Sequence, residues 1–245
     1  MIELDQHQKE IQQNLHSWQT KPLLQQIYAH FYQRILALID PQIPGAVLEI
    51  GSGIGNLKAH YPPAFCSDLF PNSWLDLVCD GYELPFAAGS LSHLVLFDVF
   101  HHLQVPRAFL NEAHRVLTSA GRLIIFEPYI SLASFPVYGL LHHEPVSWRK
   151  PIERTGKAPR PRAYYAAQGN ATRLFFQRAH PDIFESWHIV HAEAFAAFSY
   201  FLSGGYSKPA LYPAALLPAL RTLDATLSHW PRLFGARCLI ALAPV

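Results

Sequence analysis

The sequence predicts a doubly wound α/β domain built on a mainly parallel sheet. Three observations carry this reading. A short apolar strand runs into a glycine loop at "VLEIGSGIGNLK" (47–58). Strand-like and helical-period segments alternate after it. The strand-like runs are continuously apolar rather than alternating, as expected of strands covered on both faces. With 245 residues, half of them hydrophobic, the chain has the length of one domain carrying an insertion.

Taken in order, residues 22–39 place Leu24, Ile27, Tyr28, Phe31, Ile35 and Leu38 at helical spacing behind Pro22. "DPQIPG" ends that helix, and "AVLEI" (46–50) is too short and too β-branched for another. "AFCSD" (64–68), "LDLVCD" (75–80) and "SHLVLFDVF" (92–100) read as the next strands. A helix is expected from Pro106, with Phe109, Ala113, Val116 and Leu117 on one face and Gly121 as its stop. "RLIIFE" (122–127) follows as a buried strand. Beyond Glu127 the chain turns proline-rich and aromatic, and residues 147–162 set Arg149, Lys150, Arg154, Lys157, Arg160 and Arg162 against the single acid Glu153. A lid insertion fits this stretch better than another layer. "GNATRLFFQRAH" (169–180) resumes a helix, "SWHIVHAEAFAAF" (186–198) makes a strand, 213–230 a helical stretch and "ARCLIALAP" (236–244) a closing strand. The expected organisation is therefore an N-terminal helical segment over the cofactor side (1–44), a ligand-binding core (45–130), a lid insertion (131–170), and C-terminal helices and last strands of the same domain (171–245).

Composition excludes several function classes. A net charge of +1 lacks the basic excess of a general nucleic-acid binder. Cys66, Cys79 and Cys238 form neither a CxxC pair nor an even disulfide framework, which fits a reducing compartment and a cytoplasmic chain. The polar N-terminus is unlike a signal peptide, and no apolar run approaches the ~20 residues of a spanning helix. Peripheral membrane contact stays open, as does the choice between monomer and homodimer.

A glycine loop between strand and helix brings backbone amides to a ligand. A phosphate loop is excluded because Lys58 is followed by alanine rather than Ser or Thr. The spacing is GxGxG, without the third glycine of a dinucleotide fingerprint. Glu49, a carboxylate inside the apolar strand, calls for a cationic ligand group rather than a pyrophosphate. Asp68 ends the second strand, where a doubly wound sheet offers an acid to ribose hydroxyls. Asp80 ends the third, where a carboxylate can accept from an exocyclic adenine amine and Tyr82 can cover the ring. Any one of these acids alone could be a helix cap or turn residue. Three at successive strand ends specify an adenosine with a positively charged tail.

Over about residues 45–130 the chain resembles the class I S-adenosylmethionine-dependent methyltransferases. "VLEIGSGIG" is similar to their first motif, "SDLFP" to the ribose-binding segment, "DGYELPFAAGSLSHLVLFDVFHHL" to the third and fourth strands, and "FLNEAHRVLTSAGRLIIFEP" to the helix and strand that follow. It resembles more closely a bacterial subgroup with "HHEP" after the fifth strand and "SGGY"-like segments near the end. The resemblance implies a Rossmann-like doubly wound α/β sheet of seven strands, mostly parallel with the last antiparallel, and S-adenosyl-L-methionine as cofactor. It implies cofactor contacts from Glu49, Gly51, Ser52, Gly53, Gly55, Asp68, Leu69, Asp80, Gly81, Tyr82 and Asp98. The chain departs from the family where only "NLKAHYPP" and "LFPNSW" stand in place of full crossover helices. The short crossovers leave the adenosine side either more open or covered by the N-terminal helix with Tyr28 and Tyr32.

The expected activity is methyl transfer to a small molecule, with an apolar, aromatic or lipid-linked acceptor favoured by the aromatic second half. Alternatives are a nicotinamide-dependent oxidoreductase and a non-catalytic binding subunit of the same fold. His101 and His102 follow the fourth strand in the crevice where open sheets bind ligands, and His143 lies in the lid. These three are the candidate catalytic bases, because a histidine near neutral pKa suits proton removal from the acceptor. His142, Glu144 and Trp148 are the candidate substrate contacts. No metal is expected, since adjacent histidines usually project in different directions and an isolated HHE lacks ligand spacing.

Overall fold

A computed structural model describes residues 2–141, 144, 146–159 and 165–245. The chain opens with helices α1 (Ile2–Thr20) and α2 (Pro22–Leu36), then strand β1 (Ala46–Ile50), a short helix α3 (Asn56–His60), β2 (Phe65–Asp68) and β3 (Leu77–Val78). Strand β4 (Leu91–Phe97) ends in a 3-10 turn, Phe100–His102, before helix α4 (Pro106–Val116) and strand β5 (Leu117–Pro128). Further along the chain come β6 (Trp187–Phe195), α5 (Phe198–Leu202), α6 (Leu217–Leu227), α7 (Pro231–Phe234) and β7 (Arg237–Pro244).

These strands form one seven-stranded sheet in the order β3-β2-β1-β4-β5-β7-β6. The first five run parallel, with Leu48 opposite both Phe65 and Leu94. Strand β7 is antiparallel to both neighbours, Ile125 facing Ile240 and Ala192 facing the same residue from β6. The expected Rossmann-like architecture is the one observed. The order reverses between β1 and β4, so ligand-binding groups collect where these two strands end.

Strand alternation divides the core into two layers. Leu48, Leu94, Leu96, Leu123, Ile125 and Ile240 face α4, meeting Phe109, Leu110 and Ala113. Val47, Val95, Phe97, Ile124, Phe126 and Leu239 face α2, meeting Leu24, Ile27, Phe31 and Ile35. Each such fully buried aliphatic or aromatic side chain stabilises the fold by roughly 1.5–3 kcal/mol. Glu49 shares the parity of Val47, so a carboxylate is carried into the α2 layer.

Local structure departs from expectation in three places. Helix α4 stops at Val116 rather than running to Gly121. The turn before β4 ends it: Gly89 and Ser90 donate their amides to the carbonyls of Arg115 and Val116, and Leu117 already pairs with Leu91. The third strand shrinks to Leu77–Val78, as befits an edge with one partner. The segment 169–180 makes a π turn, Thr172–Phe176, in place of a full helix.

Candidate functional site

The glycine loop leaves β1 in left-handed backbone, with φ of +68° at Gly51, +54° at Gly53 and +75° at Gly55. At Gly51 a Cβ would stand 2.4 Å from Val99 Cγ2, and at Gly55 3.0 Å from Trp74 Cδ1, so packing as well as φ demands glycine there. At Gly53 nothing lies within 4 Å of that position. The loop is open at its centre and closed at both ends. Ser52 fastens it to β2, its amide donating to Ser67 O (2.8 Å) and its Oγ accepting from Ser67 N (3.0 Å). Trp74 Nε1 donates to Gly53 O at 2.9 Å.

Of the acids expected at successive strand ends, Asp68 stands at this opening. Asp68 accepts from Gly53 N (3.0 Å) through Oδ2 and from Leu69 N (2.7 Å) through Oδ1. Leu69 beside it is about half exposed, an apolar surface next to a carboxylate. Asp80 accepts from Tyr82 N (2.9 Å), which shapes the turn through Gly81. Tyr82 itself reaches away along α4: its hydroxyl accepts from Val105 N at 3.0 Å. Glu49 is 2 % exposed, with Cys66 Sγ 3.7 Å from its Oε2, and no cationic side chain pairs with it among the described residues. Burial raises its pKa to about 8, with hydrogen bonds from Ser52 and Cys66 opposing. A carboxyl so placed is poised for a cation from outside the chain.

An aromatic wall closes the α2 side. Tyr28 stacks on Phe97 at 5.3 Å between ring centroids, and meets Tyr200 at 6.0 Å and Tyr206 at 5.3 Å edge-on. Tyr206 belongs to the "SGGY" segment, and its hydroxyl accepts from Asn56 of α3 (3.4 Å). Lys21 Nζ ties that segment to the N-terminal helices by donating to the carbonyls of Gly205 (2.9 Å) and Lys208 (2.8 Å). Asp98, in left-handed backbone at φ +57°, holds Arg237 at this wall by two hydrogen bonds.

On the opposite side of the β4 end stands a histidine–glutamate cluster. His101 is buried, with Nδ1 2.7 Å from Glu127 Oε2 and Nε2 3.1 Å from Glu144 Oε2. Burial alone would lower its pKa, but the two carboxylates hold it well above the usual imidazole range. His102 is half-buried; its Nδ1 lies 2.9 Å from Tyr165 O and its Nε2 3.3 Å from Glu144 Oε1. Burial, then the neighbouring charge of His101, pushes its pKa down to about 4. Gln168 Nε2 donates to Glu144 Oε2 at 3.0 Å.

The two histidines do not diverge as expected of neighbours in sequence. The 3-10 turn brings their ring centroids to 4.2 Å, which removes the geometric reason for setting a metal aside. His101 enters as the centre of an ion triad rather than as a solvent-facing base. Glu144 joins the cluster, whereas Trp148 lies against Gly169. His142 and His143 fall outside the described residues. Sequence reasoning missed Glu127, Gln168 and Arg237; only Glu127, an acid ending an apolar strand, carried the signal already used for Asp68 and Asp80.

Residues 48–125 match the family model described as a methyltransferase domain. No curated protein matches the chain. Among solved structures, an S-adenosylmethionine-dependent methyltransferase from Thermotoga maritima is 15% identical with a TM-score of 0.52, covering 96% of this chain and 98% of that one. A methyltransferase from Archaeoglobus fulgidus is 13% identical (TM-score 0.48; 90% and 94% covered). The Haloferax volcanii complex of a methyltransferase with its activator Trm112 gives 16% identity (TM-score 0.48; 86% of both chains). The fold is that of the class I methyltransferases.

Proposed function

We propose that this chain, class I in fold and matching a methyltransferase domain over residues 48–125, transfers a methyl group from S-adenosylmethionine to a small, largely apolar acceptor. The observation that carries the reading is the cradle at Gly53. There the space beside the glycine is open, the Asp68 carboxylate is hydrogen-bonded to the Gly53 amide, and the buried Glu49 lies one strand turn away without a cationic partner among the described residues. These groups suit the donor's chemistry: Glu49 for its ammonium, Asp68 for the ribose hydroxyls, and Leu69 with Asp80 and Gly81 for the adenine.

When bound, the donor supplies an electrophilic methyl on a sulfonium. The chain's own contribution is positioning, which in the best intramolecular cases lowers a barrier by roughly 7–11 kcal/mol. Asp98 and the aromatic wall of Tyr28, Phe97, Tyr200 and Tyr206 stand beside the loop, and the rings would bind an apolar acceptor and exclude water. His102, held neutral and half-exposed, is the better placed of the two described histidines to accept a proton from an acceptor hydroxyl. His142, His143 and Trp148 are assigned to the acceptor on the sequence alone.

The test is calorimetric titration with S-adenosylmethionine and, separately, NADH, followed by mass spectrometry for S-adenosylhomocysteine formed with fractions of a metabolite extract. Donor binding with product formation supports the reading. Tight NADH binding without donor binding replaces it with an oxidoreductase, and donor binding without product in any fraction reduces the chain to a binding subunit.

A further inference from the structure

We infer that His101, His102 and Glu144 form a site for a divalent late first-row metal ion, zinc being the reference case. One ligand atom from each residue can be chosen so that all lie within 4.8 Å of one another. The actual contacts are closer: Nε2 of His101 and Nε2 of His102 stand 3.1 Å and 3.3 Å from the two oxygens of Glu144. A metal with bonds of ~2.0–2.2 Å to nitrogen and oxygen separates adjacent ligand atoms by roughly 3–3.5 Å, so small side-chain shifts suffice.

Outside this triad the partners are those a metal site requires. A histidine ligand normally donates its other ring nitrogen to a carboxylate or a backbone carbonyl, which fixes the tautomer and aims the lone pair at the ion. His101 Nδ1 meets the Glu127 carboxylate at 2.7 Å, and His102 Nδ1 meets the Tyr165 carbonyl at 2.9 Å. A carbonyl can only accept, so His102 donates through Nδ1, and Nε2, the ring nitrogen 3.3 Å from Glu144 Oε1, is the atom offered to an ion. Glu127 is itself held, its Oε1 accepting from Phe100 N at 2.6 Å, and Glu144 takes a bond from Gln168.

Charge argues the same way. The cluster sets two carboxylates, Glu127 and Glu144, around the two imidazoles on side chains only 1% and 10% exposed, and a divalent cation is the partner that compensates buried carboxylates. Two imidazoles and one carboxylate are borderline ligands that favour zinc, cobalt, nickel or iron(II) over calcium or magnesium. Three protein ligands, one of them half-exposed, leave a coordination position open to an oxygen donor from solvent or substrate.

The test needs neither donor nor acceptor, so its outcome is read apart from the methyl-transfer reading; a bound ion takes the His102 Nε2 lone pair and excludes His102 as the proton acceptor while it is bound. Chelator-stripped full-length protein would be titrated with zinc chloride by calorimetry and with cobalt(II) by visible absorption. One ion per chain is expected, with ligand-field bands of a low-coordinate nitrogen–oxygen site, and zinc-edge absorption reporting two imidazoles. Affinity should fall at least 10-fold in His102→Ala and in Glu144→Gln, and about 10-fold or more in Glu127→Gln through the lost outer partner. His191→Ala, which removes the half-buried His191–Glu193 pair on β6, should leave zinc affinity unchanged. Circular dichroism identifies any variant that fails to fold, and the remaining variants then decide. Absence of stoichiometric binding by the wild type, or loss of it only in His191→Ala, overturns the inference.

Discussion

Arg237 at the start of β7 and Asp98 at the end of β4, 139 positions apart, form a two-pronged ion pair, Nη1 to Oδ1 at 2.8 Å and Nη2 to Oδ2 at 2.6 Å. Arg237 is only 1% exposed, and its guanidinium carbon lies 5.0 Å from the Phe126 ring centroid and 5.2 Å from that of Tyr200. Such a cation is tolerated because the carboxylate and the ring faces replace its hydration. Asp98→Ala should therefore destabilise the fold by about 3 kcal/mol, measured by urea denaturation, since it strands a buried charge. Adding Arg237→Met should recover much of that loss. If the double variant is as unstable as the sum of the single ones, the pair does not act as a unit.

Gly53→Ala should separate binding from stability. The methyl group meets no protein atom within 4 Å, so the cost to the fold is that of holding alanine at φ +54°, about 1 kcal/mol. The same methyl group would fill the space assigned to the donor. We expect a small fall in melting temperature together with at least a 10-fold loss of S-adenosylmethionine affinity by calorimetry. Unchanged affinity would place the donor elsewhere.

Glu49 sets a proton signature on donor binding. With its pKa raised to about 8 by burial, Glu49 is mostly protonated at pH 7 and must lose that proton to pair with an ammonium. Affinity should rise with pH from 6 toward 8, where carboxylate and ammonium coexist best, and fall once the donor amine deprotonates. Calorimetry in buffers of different ionisation enthalpy should register proton release near pH 7. In Glu49→Gln the release should vanish and the affinity should fall. Equal release by the variant would remove Glu49 from the ammonium site.

The residues proposed to bind the donor could be picked out in the sequence because their signals are local. An apolar pentapeptide ending in glycines, and acids at the ends of apolar runs, mark Glu49, Asp68 and Asp80 within a few residues of the features that explain them. The other side was not legible, because its partners meet across the fold. His101 finds Glu127 26 positions away and Glu144 43 positions away, and no periodicity encodes such meetings. The end of α4 was misread for a related reason. Gly121 looks like a stop, yet the carbonyls of Arg115 and Val116 are taken by amides that precede β4. The direction of the His101 and His102 rings depended on a 3-10 turn that the sequence "FHH" does not announce.

His93 should make the fold sensitive to acid. It lies fully buried in β4, and its Nε2 accepts the Asp40 amide proton at 3.1 Å. Burial, then the nearby charge of Arg122, lowers its pKa to about 4. Protonation would remove the acceptor that holds Asp40 and would place a charge in the sheet. Because the folded-state pKa lies below the unfolded value near 6.5, the contribution is fully present above about pH 6.5. It is lost progressively as pH falls toward 4, up to the order of 3 kcal/mol. Gln at this position can accept the same amide without titrating. Urea denaturation between pH 4 and 7 should therefore show a shallower loss of stability in His93→Gln than in the wild type, and equal slopes would mean that other groups carry the acid sensitivity.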